Sequence, residues 1–512
     1  MKTIKYLSMA ALALVGAMMT GCTNDDNIID EPQQPENKSN VVTMTTTVSL
    51  DGGAATTRAL TAGGVKTFAA GETMALVYKN TSSATVKVVS TALTDGDITN
   101  EGKSATFTFE LTDPNTSQDV TYIYPAAMAN DEGTVNYDAL ATQDGTLATL
   151  SSSLDLATYS AAWNGTALPS ATLVNQLAIL ALTLKNSDGS SDITSSTTGL
   201  SISDGTNSYA VTPSSLSTIY VAIQPTSSAS IEVTATDGTT DYKKSLTGKT
   251  YAASNGYSIS WLMNVMGKFT VNNSGKKVYF SPGNLQYNNT EATYKWRFAP
   301  NQYDYVGAWN TDTWVDLFGY ASWGTDRNPL NTSTDGSDDG YKWSSDFTQE
   351  SSLADANQRG YDWRTPSRDE WNYLFQTRSA STVNGVADAR YVMGKVNGVQ
   401  GVIIFPDVYT HPSTVALPVG ANNTQSSAMS SNNYSTDDWS KMENAGAAFL
   451  PAAGCRNGTN CTEVNEWGRY WSSTSYNNVN SSYSQTFNTS HPYDGTISTY
   501  YGLSVRLVRD VE

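Results

Sequence analysis

Gly360-Tyr361-Asp362-Trp363-Arg364-Thr365-Pro366-Ser367-Arg368-Asp369-Glu370-Trp371-Asn372-Tyr373-Leu374-Phe375 reads as the end of a strand, a tight turn and a capped helix. Pro366 pushes the residue before it out of the α region, so the helix starts no earlier. Ser367 is a good N-cap and Glu370 stands three residues on, so the two side chains can satisfy orphan backbone amides reciprocally. Trp371, Leu374 and Phe375 then fall at i, i+3 and i+4 and give one apolar face. A helix so well punctuated, in a chain that otherwise reads as strand and loop, is expected to pack across a sheet.

Around this stretch, length and composition set the class. The 512 residues correspond to about three domains. Charged residues are 15% and the formal net charge is −18, which argues against a nucleic-acid partner, because neutralising phosphates needs clustered Lys and Arg. Catalytic inventory is thin. The two histidines, His411 and His491, each stand beside a proline, and there is no nucleophile elbow or paired-histidine metal motif. Asp335, Asp338 and Asp339 could offer oxygens to Ca²⁺, but the spacing and terminal Glu of an EF-hand are missing, so a solvated turn is favoured. The expectation is no catalytic residue, no metal and no cofactor.

At the start, Lys2 and Lys5 precede a short apolar run over 6–19, the pattern of a secretory signal. Met19-Thr20-Gly21-Cys22 resembles a bacterial lipoprotein lipobox. The resemblance implies a signal peptide over 1–22 and acylation of Cys22, with palmitate among the chains, at the outer membrane. Each buried methylene would add about 0.8 kcal/mol to that anchor. Asp25 and Asp26 resemble the acidic export signal of surface lipoproteins in Bacteroides-type bacteria. Residues 23–40, polar and carrying Pro32 and Pro35, read as a tether with a coil reach of roughly 25 Å.

From 41 the pattern turns to strands. Residues 42–50 alternate and are rich in β-branched side chains, and short strands follow to about 263 with turn residues between them. The apolar run 171–184 reads as a buried strand pair, or as one strand with a turn. Ser, Asp and Gly cluster at 187–196. We therefore expect two β-sandwich modules, 41–190 and 191–264.

This arrangement resembles the fimbrillin family of Bacteroidales pili. The resembling features are Cys22, the segment Thr57-Arg58-Ala59-Leu60, the strand start Phe68-Ala69-Ala70-Gly71-Glu72 and Gly248-Lys249-Thr250-Tyr251. The family resemblance implies cleavage by an arginine-specific protease after the first strand, with Arg58 as the matching residue. It also implies that a strand from another pilus subunit fills the groove. Arg58 as a plain solvated loop residue is the competing reading.

Ten of the twelve tryptophans lie beyond 264, and 266–512 is expected to be a separate domain. Most of those rings should be core, with a minority free to stack on sugar faces. The opening stretch resembles the helix start of formylglycine-generating-enzyme-like domains, within the C-type-lectin-like fold. The Fibrobacter major paralogous domain is closer. It shares Tyr279-Phe280-Ser281-Pro282-Gly283-Asn284-Leu285-Gln286-Tyr287, Trp296-Arg297-Phe298-Ala299 and Phe449-Leu450-Pro451-Ala452-Ala453-Gly454. It also shares Tyr470-Trp471-Ser472-Ser473-Thr474 and Gly502-Leu503-Ser504-Val505-Arg506-Leu507-Val508. The enzyme relatives use a two-cysteine copper site. Cys455 and Cys461, closely spaced in an oxidising compartment, read instead as a short-loop disulfide. The catalytic pattern is therefore missing, and so is the Glu-Pro-Asn sugar-and-calcium signature of true C-type lectins.

A ligand is expected at the long Ser/Asn-rich loop 409–439, which carries Tyr409, His411, Tyr434, Asp437, Asp438 and Trp439, or at Trp467. The resulting fold class is mainly β fimbrillin-like sandwich modules followed by an α+β C-type-lectin-like domain. Because 505–508 matches that domain's closing strand, the chain is expected to accept a strand without donating one. The functional expectation is a non-enzymatic pilus tip or accessory adhesin at the cell surface. Its partners would be other pilus subunits, an extracellular glycan or surface protein, and the membrane through the lipid before maturation. The alternatives are a non-polymerising glycan-capture lipoprotein of the outer membrane and an enzyme related to formylglycine-generating enzyme.

Overall fold

The computed structural model describes residues 40–50, 67–321, 329–332, 353–355, 358–476 and 481–511. Cys22, Arg58 and the 335–340 acidic segment lie outside the described residues. The chain is mostly β, and among the described residues no helix is long and apolar enough to cross a membrane.

The first sheet contains β1 (Val41–Leu50), β2 (Ser104–Thr112) and β3 (Ala171–Asn175). Its full order is Thr85–Val89, Ala75–Lys79, Asp119–Tyr124, Ala157–Ala162, β3, β1, β2 and Ile98–Thr99. Period-two alternation builds it. β2 turns Ala105, Phe107, Phe109 and Leu111 inward and its threonines and Glu110 outward. Leu76 and Tyr122 from one end share a core with Val48, Phe107 and Leu173 from the other, so the sheet folds over on itself. Each large apolar side chain buried there contributes about 1.5–3 kcal/mol.

The apolar run 171–184 resolves into two strands that join different sheets. β3 stays in the first, while Ala178–Lys185 pairs with Ile219–Ile223 and Asn255–Leu262. Asn175 marks the crossing: its side-chain oxygen accepts the Leu177 amide at 2.8 Å and its amide donates to Asp155. The chain thus changes sheet at 176–177, ahead of the Ser/Asp/Gly cluster at 187–196. The opposing sheet carries Thr226–Thr236, β4 (Asp241–Tyr251) and β5 (Asn264–Met266), and reaches back to Thr142–Gln143. Gln143 donates to the Ala222 carbonyl at 2.8 Å and accepts the Ala222 amide at 2.9 Å, tying the two sheets through its side chain.

Beyond β5 the strands shorten and the helices lengthen. β6 (Lys277–Phe280) pairs with Phe269–Thr270 on one side. On its other side it pairs with the last strand, as Val278↔Asp510, Tyr279↔Arg509 and Phe280↔Val508. Helix α1 (Arg368–Asn372) has the capping box read from the sequence. Ser367 Oγ accepts the Glu370 amide at 3.2 Å and Glu370 accepts the Ser367 amide at 2.8 Å. The helix runs on into a wider π-turn over Tyr373–Thr377 and buries Trp371, Leu374 and Phe375. Trp371 stacks between Phe280 and Phe375 and its indole N–H points to the Trp471 carbonyl, so the helix lies on the sheet Gly468–Tyr476, Ser481–Phe487 and Pro492–Ser498. A longer helix, α2 (Thr436–Asn444), precedes Ala448–Pro451, and β7 (Val508–Asp510) closes the region.

The two cysteines correct one expectation. Both are free thiols. They lie on the hairpin Cys455–Asn457 and Asn460–Thr462, whose register opposes Cys455 to Thr462 and Cys461 to Arg456. Neighbouring residues of a strand face opposite ways, so the two sulfurs stand on opposite faces of the hairpin. The expected disulfide is not formed.

Candidate binding cleft

A cleft of about 490 Å³ separates the second sandwich from the C-terminal region. β4 and β5 form one wall, and β6, β7, the end of α2 and the stretch ahead of α1 form the other. The volume falls within the usual range for small-molecule sites.

Arg509 is the centre of the second wall. The β6–β7 register sets it directly opposite Tyr279, so the two side chains share a face. Its guanidinium carbon lies 4.6 Å from the Tyr279 ring centroid, 4.0 Å from that of Tyr361 and 6.0 Å from that of Trp363. Tyr361 and Trp363, two residues apart in extended chain, present their rings together at 6.4 Å. Trp363 is fixed by its indole N–H on the Gln358 carbonyl at 3.0 Å and by edge contact with Phe298. Each cation–ring contact of this kind is worth about 0.5–2 kcal/mol, so the arginine is held by aromatic faces. Among the described residues no carboxylate lies within ion-pair distance of it.

The same wall also carries polar groups, the buried Gln302 and the half-buried Glu443. Gln302 donates to Glu443 of α2 at 2.8 Å, accepts the Phe449 amide at 2.8 Å and also accepts from Arg506. Burial pushes the Glu443 carboxyl above the usual carboxylate range, with the Gln302 bond pulling the other way. The hydroxyl of Tyr279, which lines the cleft, donates to Asp241, and Asp241 also accepts from Lys268 at 2.9 Å and from Thr236 at 2.9 Å. Burial alone would raise Asp241, but those three donors outweigh it and leave its carboxyl below the ordinary range. Burial and the Asp241 bond push the Tyr279 phenol up.

The residues singled out in the sequence do not gather into a second cleft. Tyr409 is buried, stacks on Phe405 at 4.7 Å and donates to His411 Nδ1 at 3.1 Å. His411 Nε2 in turn faces the Val415 and Ala416 carbonyls, so both ring nitrogens are used in holding the loop. Tyr434 is buried where Asn433–Tyr434 pairs with Lys395 and Val396. Trp439 is buried against Phe449 at 5.6 Å. Asp438 completes a capping box with Ser435 at the start of α2, and Asp437 is exposed beside it. The rings of 409–439 therefore fill core and show no open face to a ligand. Trp467 is half-buried with Arg469 over it at 5.0 Å, and Arg469 pairs with Glu463 at 2.7 Å. Among the described residues no cluster of three or more His, Cys, Asp or Glu could hold a metal ion.

Sequence reading passed over the cleft residues. Tyr279, Tyr361 and Trp363 lie inside stretches read as scaffold, and Arg509 follows directly on the closing motif. Their separations run from 2 to 230 residues, and nothing in sequence spacing signals that register brings them together.

No family model matches the chain, and no curated protein matches it. Among solved structures it is similar to a candidate cell adhesion protein from Bacteroides uniformis ATCC 8492. The two are 16% identical over 44% of this chain and 96% of that one, with a TM-score of 0.27. A candidate cell adhesion protein from Bacteroides fragilis NCTC 9343 is 14% identical over 42% of this chain and 91% of that one, with a TM-score of 0.25. A fimbrial assembly protein from Parabacteroides distasonis ATCC 8503 is 12% identical over 46% of this chain and 94% of that one, with a TM-score of 0.26. At these scores the likeness carries no argument about this chain.

Proposed function

We propose that this chain is a non-enzymatic cell-surface adhesin, a tip or accessory subunit of a fimbria assembled by strand donation. Its lectin-like C-terminal domain binds an extracellular glycan or protein. The observation that supports this reading is the place of β1. It runs antiparallel to β2 over nine consecutive pairs, from Val41↔Thr112 to Ser49↔Ser104, and parallel to β3 at Val48, Ser49 and Leu50. Thr46, Val48 and Leu50 seal the first core beneath it. Taking β1 away would bare two strand edges and a strip of core, and an incoming strand supplies the same backbone bonds.

In this reading the chain is exported as a lipoprotein acylated at Cys22, is cut after Arg58 and loses β1 with its anchor. The test is N-terminal mapping of the protein recovered from the bacterial surface, with immunogold labelling of fimbriae. A new N-terminus at Ala59 and label on fimbriae are expected. Protein confined to the periplasm, or surface protein retaining acylated Cys22 with no fimbrial label, overturns the proposal.

A further inference from the structure

We propose that the cleft between β4–β5 and β6–β7 is a site for an anionic saccharide, with Arg509 binding its carboxylate or sulfate. The proposal rests on the reading above that the C-terminal region binds an extracellular ligand, and it names the chemistry of that ligand. Arg509 is half-buried and oriented by Tyr279 and Tyr361 at 4.6 and 4.0 Å. A guanidinium carries five N–H donors in a fixed fork. None of those of Arg509 donates to an acceptor among the described residues. Elsewhere in the same molecule the guanidiniums are used. Arg378 donates to Asp407 and to the Leu374 and Arg390 carbonyls, and Arg456 to the Leu317, Gly458 and Asn331 carbonyls. Arg364 grips Glu370 and Asp510.

An arginine pre-aligned by rings, facing a cleft and without an acceptor among the described residues matches a two-oxygen anion, which takes two parallel N–H bonds. Lys243 on the facing wall acts on Glu443, and the lining also holds Glu232 and Asp355, so the anion would be drawn by the Arg509 fork and not by the overall charge of the cleft. The rest of the lining suits a hydroxyl-rich body. Glu443 is a half-buried carboxyl bonded to the buried amide of Gln302, and Tyr361, 38% exposed, gives an aromatic edge at the mouth. Ring hydroxyls can donate to the Glu443 carboxyl and accept from Gln302, and a pyranose face can lie against the Tyr361 ring, so a saccharide is the occupant proposed.

The experiment is equilibrium binding of the full chain to four probes: trigalacturonate, a sulfated trisaccharide, neutral maltotriose and a Glu-rich hexapeptide. The account expects one of the two acidic sugars to bind at least about tenfold more tightly than maltotriose, the gain of one bidentate charged pair. Which of them does so decides between carboxylate and sulfate. Arg509→Gln should erase the preference while Arg509→Lys keeps part of it, and Arg509→Lys, which keeps a cation over the rings, should retain the wild-type unfolding temperature within a few degrees. Glu443→Gln should weaken acidic and neutral sugars alike and leave their ratio unchanged. Equal affinity for maltotriose, preference for the peptide, no binding of any probe, or a preference that survives Arg509→Gln each overturns the proposal. A chain that adheres to cells yet binds none of the probes loses this inference and keeps the adhesin reading.

Discussion

A Cβ atom on Gly267 would stand 2.0 Å from the carbonyl oxygen of Gly446. Gly267 follows β5 as the chain leaves the second sandwich, and Gly446 follows α2 with φ +96°. The two backbones touch because neither residue has a side chain, and Gly446 holds a left-handed conformation that other residues adopt at a cost. This contact seats the sandwich on the C-terminal region and fixes the width of the cleft beside it.

Gly267→Ala should therefore force the two backbones apart. The expected loss is about 2–3 kcal/mol, typical of an overpacked contact between rigid groups. Thermal unfolding measures the loss, and a larger radius of gyration in small-angle scattering would report the opened joint. An unchanged unfolding temperature would show that the contact is not maintained in solution.

Asp241 and Tyr279 form the other tie across the same joint. Asp241 has a folded carboxyl below the ordinary range, so it contributes stability that is fully present above the unfolded carboxylate pKa. That stability is lost as pH falls through the depressed folded value. Tyr279→Phe removes one of the three donors and should cost about 1–2 kcal/mol at neutral pH. It should also move the acid-side loss to higher pH, because the carboxylate keeps only Lys268 and Thr236. Denaturant unfolding between pH 2 and 7 checks both effects.

Asp316 behaves with the opposite sign. Its carboxyl is fully buried, accepts the Val306 amide at 2.8 Å, and is pushed up to about 7 by burial. The folded state then holds a proton that the unfolded state releases near pH 4, so stability falls as pH rises from about 4 to about 7. Asp316→Asn should flatten that slope and raise the unfolding temperature at pH 8 by a few degrees. A slope unchanged by the substitution would remove Asp316 as its source.

How much of this was legible depends on whether the signal is local. The Ser367–Glu370 box, the buried face of Trp371, Leu374 and Phe375, and the alternation of β1 are set by residues within a few positions of one another, and all are present. The cysteines show the limit. Their short spacing suggested a bridge, yet whether two strand residues share a face depends on hairpin register, and here Cys455 opposes Thr462. The loop 409–439 shows a second limit. A Ser/Asn-rich stretch with interspersed rings reads the same whether the rings face solvent or core. Here Tyr409, Tyr434 and Trp439 turned inward, where a chain of short elements needs large side chains to fill space. The cleft shows the third, because Tyr279 and Arg509 meet only through the pairing of β6 with β7, strands far apart in the chain.

The replaceable first strand is tested most directly by complementation. A chain beginning at Ala59 would be prepared with and without a synthetic peptide of residues 40–51, and its unfolding temperature compared with that of the full-length protein. The account predicts a first sandwich that is strongly destabilised alone and restored by the peptide, with a peptide carrying Val48→Asp and Leu50→Asp failing to restore it. A truncated chain as stable as the full-length protein, or one that ignores the peptide, would contradict it.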